Sequence, residues 1–353
     1  MSSIPKTMAC AVYYRNSDVR LDEMAVPEIG PGELLVKTEA CGLCGGETME
    51  WYLMPRAPRV LGHEPTGVVV AVGAGMKKFK EGDRVFVHHH VSCMSCHYCN
   101  RGYYSMCETY SKSRIDPGGF AEYFRVPAEN VQFDTQLLPD NVTFEQGTLL
   151  EPMGCTLAGI KACNIRYGDT VAIVGLGFMG MSYLEQVKIS PAGRIFGLDF
   201  SDWRLETAMK LGATHTINPK KEDAAARIRE LNNGRLADVV IVTAPFVSAW
   251  DSGLQLVDKG GTLHLGAPVD PDATWTIKAN PLYFKEVKIV PTYSSSQVES
   301  EALLDLISSG RLDVNPLITH HFGLEGVQDG IQLMLKANNS LKSMIIPSLT
   351  KFK

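Results

Sequence analysis

Four cysteines stand close together in the segment CMSCHYCNRGYYSMC: Cys93, Cys96, Cys99 and Cys107, spaced C-x2-C-x2-C-x7-C. Four thiolates from one short loop can close a tetrahedron around zinc. No position is then left open, so such a site cross-links a lobe of the protein and does no chemistry itself. An iron–sulfur cluster is the rival, because the first three cysteines keep a ferredoxin spacing; that pattern puts its fourth cysteine three residues on, before a proline. Here the gap is seven and Glu108 follows, which favours zinc. A second pair, Cys41 and Cys44 in CGLCGGETME, leaves three readings open on its own: a redox pair, a metal knuckle, or packing around a tight turn. LGHEPTGVVVAVG sets His63 beside Glu64 before a strand, one nitrogen and one oxygen ligand in a glycine-framed turn.

Further along, VAIVGLGFMG carries Gly175-Leu-Gly177-Phe178-Met179-Gly180 directly after an apolar strand and at the opening of a helix. That context turns a weak glycine pattern into a dinucleotide-binding fingerprint. Gly175 permits the tight turn, Gly177 lets the backbone approach a pyrophosphate, and Gly180 lets helix and strand pack closely. The helix N-terminus adds free N–H groups. Asp199, at the end of the next strand, can accept from the adenosine ribose hydroxyls, and its charge would repel a 2′-phosphate, so NAD is expected over NADP. Arg204, in the following helix, either reaches the same ribose or is a solvated helix charge.

The elements needed to hold these residues can be read from periodicity and turn signals. Up to about residue 133 the chain reads as short strands between Gly, Pro and Asp turns, with Glu33–Thr38, Gly67–Val72 and Arg84–His88 as examples. This suggests an all-β core, a partly open barrel. Thr143–Cys163 reads as a helix broken near Pro152. Strands at Thr170–Val174, Arg194–Asp199, near Thr216 and at Asp238–Thr243 then alternate with helices at Trp203–Leu211 and Glu222–Asn232, the pattern of a doubly wound parallel sheet. Helices at Ser300–Ser309 and Gly326–Ala337 close the chain.

Size and composition fit this division. A chain of 353 residues is about right for two domains. The net charge of -5 gives no electrostatic reason to expect nucleic acid or an anionic membrane as partner. The N-terminal stretch lacks a basic flank and apolar run, and no apolar stretch reaches the ~18 residues of a membrane span. A cytoplasmic protein is the expectation. Nine cysteines, an odd number, argue for metal ligands over a disulfide framework.

Taken together, CGLCGGE, GHEPTGVVVAVG, EGDRV, the four-cysteine loop, PGGFAEY, LLEPMGC and VGLGFMG with Asp199 resemble, in this order and over nearly the whole length, the medium-chain zinc-dependent alcohol and polyol dehydrogenases. The likeness is to the sorbitol, butanediol and threonine dehydrogenase branch, which carries Glu-Pro where Glu151-Pro152 stands. The resemblance implies an α/β protein: a GroES-like β-rich catalytic domain (residues 1–157 and 297–353) with an inserted Rossmann domain (residues 158–296) and the active site in the cleft. It implies a catalytic zinc on Cys44 and His63, with Glu151 as third ligand or acting through a water, and Glu64 beside the metal or exchanging onto it. Cys93, Cys96, Cys99 and Cys107 would hold a structural zinc. Cys41 then points away as a small buried hydrophobe. Leu265, Gly266, Ala267, Thr292 and Tyr293 fall where the family's nicotinamide-side loops do. The implied reaction is hydride transfer between a secondary alcohol or polyol and NAD, by a homotetramer or homodimer. The alternatives are a non-standard member that lacks the usual proton relay and acts on an unusual substrate, a zinc-free reductase of the same fold, which Cys44, His63 and Glu151 argue against, and a non-enzymatic NAD- and zinc-binding module.

The sequence departs from the family at its proton relay. Gly46 replaces the usual Ser or Thr, Met49 the usual histidine and Glu47 the usual Asp. Thr48, or a water held by Glu64 or Glu47, is the expected substitute. The tract His88-His89-His90 is expected to support and pack, because alternation along a strand would face its members to different sides. Trp51, Tyr52 and Met54 are expected either at the substrate or in the core.

Overall fold

A computed structural model describes residues 4–337 and 339–351; residues 1–3, 338 and 352–353, which the expected first domain includes, lie outside them. The chain forms two compact units, Met1–Gly154 with Ser295–Gly310 and Val314–Lys353, and Cys155–Ser294 with Arg311–Asp313.

The first unit begins with β1 (Thr7–Arg15), β2 (Asp18–Ala25), β3 (Leu34–Leu43), β4 (Arg59–Val60), β5 (Glu64–Val72), β6 (Arg84–Val87), β7 (Tyr123–Val126) and β8 (Thr135–Leu137). The second holds β9 (Thr170–Val174), β10 (Arg194–Leu198), β11 (His215–Ile217), β12 (Ala237–Val242), β13 (Val257–Leu265) and β14 (Lys288–Pro291). The chain then returns to the first unit with β15 (Ile318–Phe322) and β16 (Lys342–Ile345).

In the first unit β2-β1-β4 form one small sheet, and β15-β16-β3-β5-β6-β8 form a larger one in which β7 also pairs with β3. Strand β3 runs well past the expected Thr38. Its second half, Ala40-Cys41-Gly42, is a run of small residues facing Thr66, Pro65 and Glu64 of β5, and register shifts at Leu35/Val36 and Thr38/Ala40 absorb the twist. The same half of β3 accepts β16 from the chain's end, Ser343 opposite Leu43 and Ile345 opposite Cys41. Leu34, Val36, Val69, Val85, Val87, Phe124 and Val126 are buried together beneath this sheet. Burying each such side chain stabilises by about 1.5–3 kcal/mol before the entropy cost.

The helix expected to break near Pro152 is two helices, Phe144–Thr148 and Leu150–Cys163. The break falls before Leu150. Pro152 sits in the first turn of the second helix, where its missing N–H has no helical partner to lose. Glu151 is therefore presented from a helix N-terminus.

In the second unit all pairings are parallel, in the order β11-β10-β9-β12-β13-β14. This is the dinucleotide-binding order 3-2-1-4-5-6. Ala172, Phe196, Leu198, Ile217, Val240, Val242 and Leu263 fill one side of it. Asp202–Leu211 starts on a Ser201 cap and Ala224–Leu231 on an Asp223 cap. Among the described residues no helix is long and apolar enough to cross a membrane.

The β3–β5 contact yields a stability test. A Cβ on Gly67 would lie 2.0 Å from the Lys37 carbonyl oxygen, whereas one on Gly30 would lie 3.5 Å from its nearest neighbour, a flexible Glu33 side chain. By calorimetry Gly67→Ala should melt at least about 4 °C below the parent, and Gly30→Ala near it. Equal melting of the two variants would contradict the close strand approach.

Candidate metal centres and nucleotide loop

Cys44 directly follows β3 and caps a one-turn 3-10 helix, Gly45–Thr48. Its sulfur accepts from the Gly46 N–H (3.4 Å), and its own N–H donates to Glu47 Oε2 (3.0 Å). Glu47 is buried and ties this turn to the next ligand segment: its Oε1 accepts from the Gly62 N–H (2.8 Å) and lies 3.2 Å from His63 Nδ1. With Nδ1–H donating to a carboxylate, the His63 Nε2 lone pair is the one left for a metal. Burial alone would lower the His63 pKa, but the neighbouring Cys44 and Glu47 outweigh it and hold it well above the ordinary value. Cys44, His63 and Glu64 each bring a ligand atom to within 4.8 Å of the others.

Glu64 is fully buried and forms an ion pair with Lys342, Nζ lying 2.8 and 2.7 Å from its two oxygens. Lys342 is equally buried and also donates to the Leu43 carbonyl (3.2 Å). A Cβ on Gly42 would fall 1.9 Å from Glu64 Oε2, so only glycine leaves room for this pair. Lys342 was not found by motif reasoning. The available signal was a single charged residue in the run LKSMIIP, beside one serine and otherwise apolar neighbours.

Glu151, expected as third ligand with Cys44 and His63 or acting there through a water, brings a ligand atom to within 4.8 Å of His88 and His89 and also acts electrostatically on Glu64 and Lys342. The expected separation of the histidines on a strand does not occur. Strand β6 ends at Val87, so the three histidines lie in the bend after it and alternation does not apply. His90 turns away to the Ser113 carbonyl, and burial lowers its pKa to about 4. Thr48 donates its hydroxyl to the Gly45 carbonyl (2.8 Å), which leaves its lone pairs as acceptors. Trp51, Tyr52 and Met54 are exposed and form no core. Cys41 is fully buried in β3, with its thiol pKa pushed far up by burial.

The four cysteines of the second cluster converge as their spacing suggests, each sulfur within 4.8 Å of the others. Two 3-10 turns, Cys99–Arg101 and Tyr104–Met106, fold the loop back, with Gly102 in the left-handed conformation between them. Tyr110 packs beneath. Without a cation the thiols cannot ionise together. Burial drives Cys99 up to about 12, while the Ser95 backbone N–H and hydroxyl hold Cys93 down at about 6. A divalent cation removes that conflict by deprotonating all four. The donor set therefore fits a closed zinc site.

In the second unit the candidate nucleotide residues all stand at carboxyl ends of parallel strands: Gly175, Gly177, Phe178, Met179 and Gly180 after β9, Asp199 after β10, Leu265, Gly266 and Ala267 at and beyond the end of β13, and Thr292 and Tyr293 after β14. This edge is where doubly wound sheets take ligands. Gly175 has φ +92°, and a Cβ on Gly180 would lie 1.9 Å from the Gly175 carbonyl oxygen. In front of Gly177 the nearest side chain is the Arg204 guanidinium, 3.9 Å from where a Cβ would stand. The loop thus has the bare backbone a pyrophosphate needs. Asp199 accepts from the Leu176 N–H (2.8 Å) and the Ser201 N–H (2.8 Å), and pairs with Arg204 (3.4 Å). It braces the loop.

Comparison with known proteins places this geometry in a family. Residues 30–134 match the alcohol dehydrogenase GroES-like domain, and residues 165–309 match the zinc-binding dehydrogenase domain. The chain is 30% identical to sorbitol dehydrogenase from Bacillus subtilis, covering 98% of this chain and 99% of that one. It is 32% identical to L-threonine 3-dehydrogenase from Caldanaerobacter subterraneus, over 92% of this chain and 94% of the relative. The solved structure of 2R,3R-butanediol dehydrogenase from Bacillus subtilis superposes with a TM-score of 0.84 at 26% identity, covering 96% of this chain and 99% of that one. The chain belongs to the zinc-dependent medium-chain alcohol and polyol dehydrogenases, a GroES-like domain joined to a Rossmann domain.

Proposed function

We propose that this protein interconverts a secondary alcohol or polyol and its ketone with NAD, using a zinc ion held by Cys44, His63 and Glu64 and a second, structural zinc on the four-cysteine loop. The convergence of Cys44, His63 and Glu64, with His63 oriented by Glu47, is the observation that carries this reading. When bound, zinc supplies Lewis acidity toward the substrate oxygen and the nicotinamide ring supplies the hydride acceptor. The chain's own residues do the rest. Glu47 fixes the Cys44 turn and the His63 tautomer in one contact set. Lys342 neutralises Glu64 and aims its carboxylate. Glu151, facing His88 and His89, is not needed to complete the three donors.

The side chain offered to the departing proton is Thr48 Oγ1, whose lone pairs are exposed while its own hydrogen is held on Gly45; passing that hydrogen on requires release from the carbonyl. In the nucleotide loop Asp199 and its charge support NAD. A 2′-phosphate is the second reading, favoured by the Arg204 guanidinium beside Gly177. Comparing kcat/KM for NAD and NADP decides between them. Nine cysteines, none of them in a disulfide and five assigned here to zinc, suit the reducing cytoplasm. The exposed rings of Tyr283 and Phe284 on one helix of the second unit suit a subunit interface in a homodimer or homotetramer.

Reduced nicotinamide formation against a panel of polyols, amino alcohols and simple secondary alcohols tests the activity; no turnover with any of them, in protein carrying full zinc, would refute it. Glu47→Gln should lower kcat/KM or catalytic-zinc affinity about 10–100-fold while the structural zinc stays. An unchanged variant would remove Glu47 from the orienting role.

Separately, Cys99→Ser should release about one zinc per chain and lower the melting temperature. Retention of the full zinc content would mean that the four-cysteine loop is not a metal site.

A further inference from the structure

We propose that His88, His89 and Glu151 form a second seat for a divalent cation beside the Cys44–His63–Glu64 donors. Glu151 Oε1 lies 3.9 Å from His88 Nε2 and 3.8 Å from His89 Nδ1. Both gaps are too long for hydrogen bonds. Neither His88 Nε2 nor His89 Nδ1 has a hydrogen-bond partner among the described residues, and both atoms are buried. The His88 side chain is 1% exposed and that of Glu151 5%. A zinc ion with bonds of about 2.0–2.1 Å puts its tetrahedral donors roughly 3.3 Å apart, so Glu151 Oε1 needs to close on each nitrogen by only about half an ångström.

The surroundings hold the donors in that pose. His88 Nδ1 is 2.7 Å from Asp134 Oδ2, a fully buried contact. Asp134 is in turn fixed by the Ser300 hydroxyl (2.9 and 3.0 Å) and by Gln136 Nε2 (2.7 Å). The His88 N–H donates to the Asp134 carbonyl (3.0 Å), and Asn130 Nδ2 donates to the carbonyls of His88 (2.8 Å) and His89 (3.1 Å). A carboxylate on Nδ1 sets the tautomer, so His88 Nε2 presents a lone pair toward Glu151. This is how proteins orient a metal-binding imidazole. A histidine kept only for packing needs neither a dedicated carboxylate nor a bare nitrogen aimed at a second carboxylate.

Two neutral imidazoles and one carboxylate suit a borderline divalent ion such as zinc or iron(II). The two seats are neighbours, since the rings of His63 and His89 stand 4.8 Å apart between centroids. The two seats share no donor side chain.

Metal content tests this independently of turnover. The full chain, equilibrated with zinc and freed of excess by gel filtration, should carry about three zinc ions, and His89→Gln about two, by elemental mass spectrometry. His88→Gln should lose the same ion, and circular dichroism checks that both variants fold. Zinc-edge anomalous diffraction should place a peak about 2.0–2.1 Å from His88 Nε2 and His89 Nδ1 in the parent. About two zinc ions in the zinc-saturated parent, or the same count in parent and His89→Gln, overturns the proposal. Loss of turnover with the third ion still present would count against the dehydrogenase reading alone.

Discussion

The ion pair between Glu64 and Lys342 is the constraint around which the first unit is arranged. Both side chains are fully buried, and removing two charges from water costs several kcal/mol each unless the pairing is close and the remaining hydrogen-bonding capacity is met. Here both Glu64 oxygens are engaged and the ammonium also reaches the Leu43 carbonyl. Burial pushes the Glu64 carboxyl pKa up while Lys342 works against it. The pair dictates three features. Strand β16 must lie against β3, because Lys342 has to reach across it. Residue 42 must be glycine, because a methyl group there would occupy the position of a Glu64 oxygen. The metal-ligating first half of the chain also needs its last strand, so the first unit has to be discontinuous in sequence, with the nucleotide unit looped out between.

How much of this could be read in advance follows from how local each feature is. The glycine loop, β9 before it and Asp199 after it lie within one βαβ stretch, and each carries its own local signal. The four-cysteine loop is likewise local. Cys44, His63 and Glu64 were named from family position, and their meeting depends on β3 and β5 pairing across Gly42 and Glu64, which no periodicity shows. Lys342 is hidden for a stronger reason: a buried lysine violates the expectation that charges stay in water, and its partner is 278 positions away. β13 and β14 went unread because Val257–Leu265 carries four polar or charged residues and two glycines in its nine, so its alternation is broken. The parallel sheet made it a strand through its neighbours β12 and β14. For the histidine tract the alternation argument alone fails, on one residue: β6 ends at Val87, so His88–His90 lie in a bend.

The same orienting device recurs twice in the first unit. His63 is held through Nδ1 by Glu47, and His88 through Nδ1 by Asp134. Each carboxylate is buried, comes from a short helical segment and is itself anchored by other groups: Glu47 by the Cys44 and Gly62 N–H groups, Asp134 by Ser300 and Gln136. In both cases Nε2 is freed as the donor. A carboxylate so placed raises imidazole basicity and removes the rotational freedom that a metal would otherwise have to freeze. The anchors also differ in origin. Glu47 is part of the Cys44 turn, whereas Ser300 arrives from the helix Gln297–Ser308, beyond the nucleotide unit in sequence.

The two sets of donors each bring one net negative charge to a cation and differ in its source. Glu64 has its charge met by Lys342, so a cation on the first set is neutralised chiefly by the Cys44 thiolate. The His88–His89–Glu151 set has no sulfur and only one carboxylate. A divalent ion there would keep a net positive charge, with Asp134 behind His88 as the next negative group. A positive centre close to a Lewis-acidic one strengthens the field at any oxygen placed between them. The absence of the hydroxyl at Gly46 fits the same picture. Where a side-chain relay is missing, a strong local field that favours the deprotonated form of the substrate oxygen reduces the demand on whatever accepts its proton.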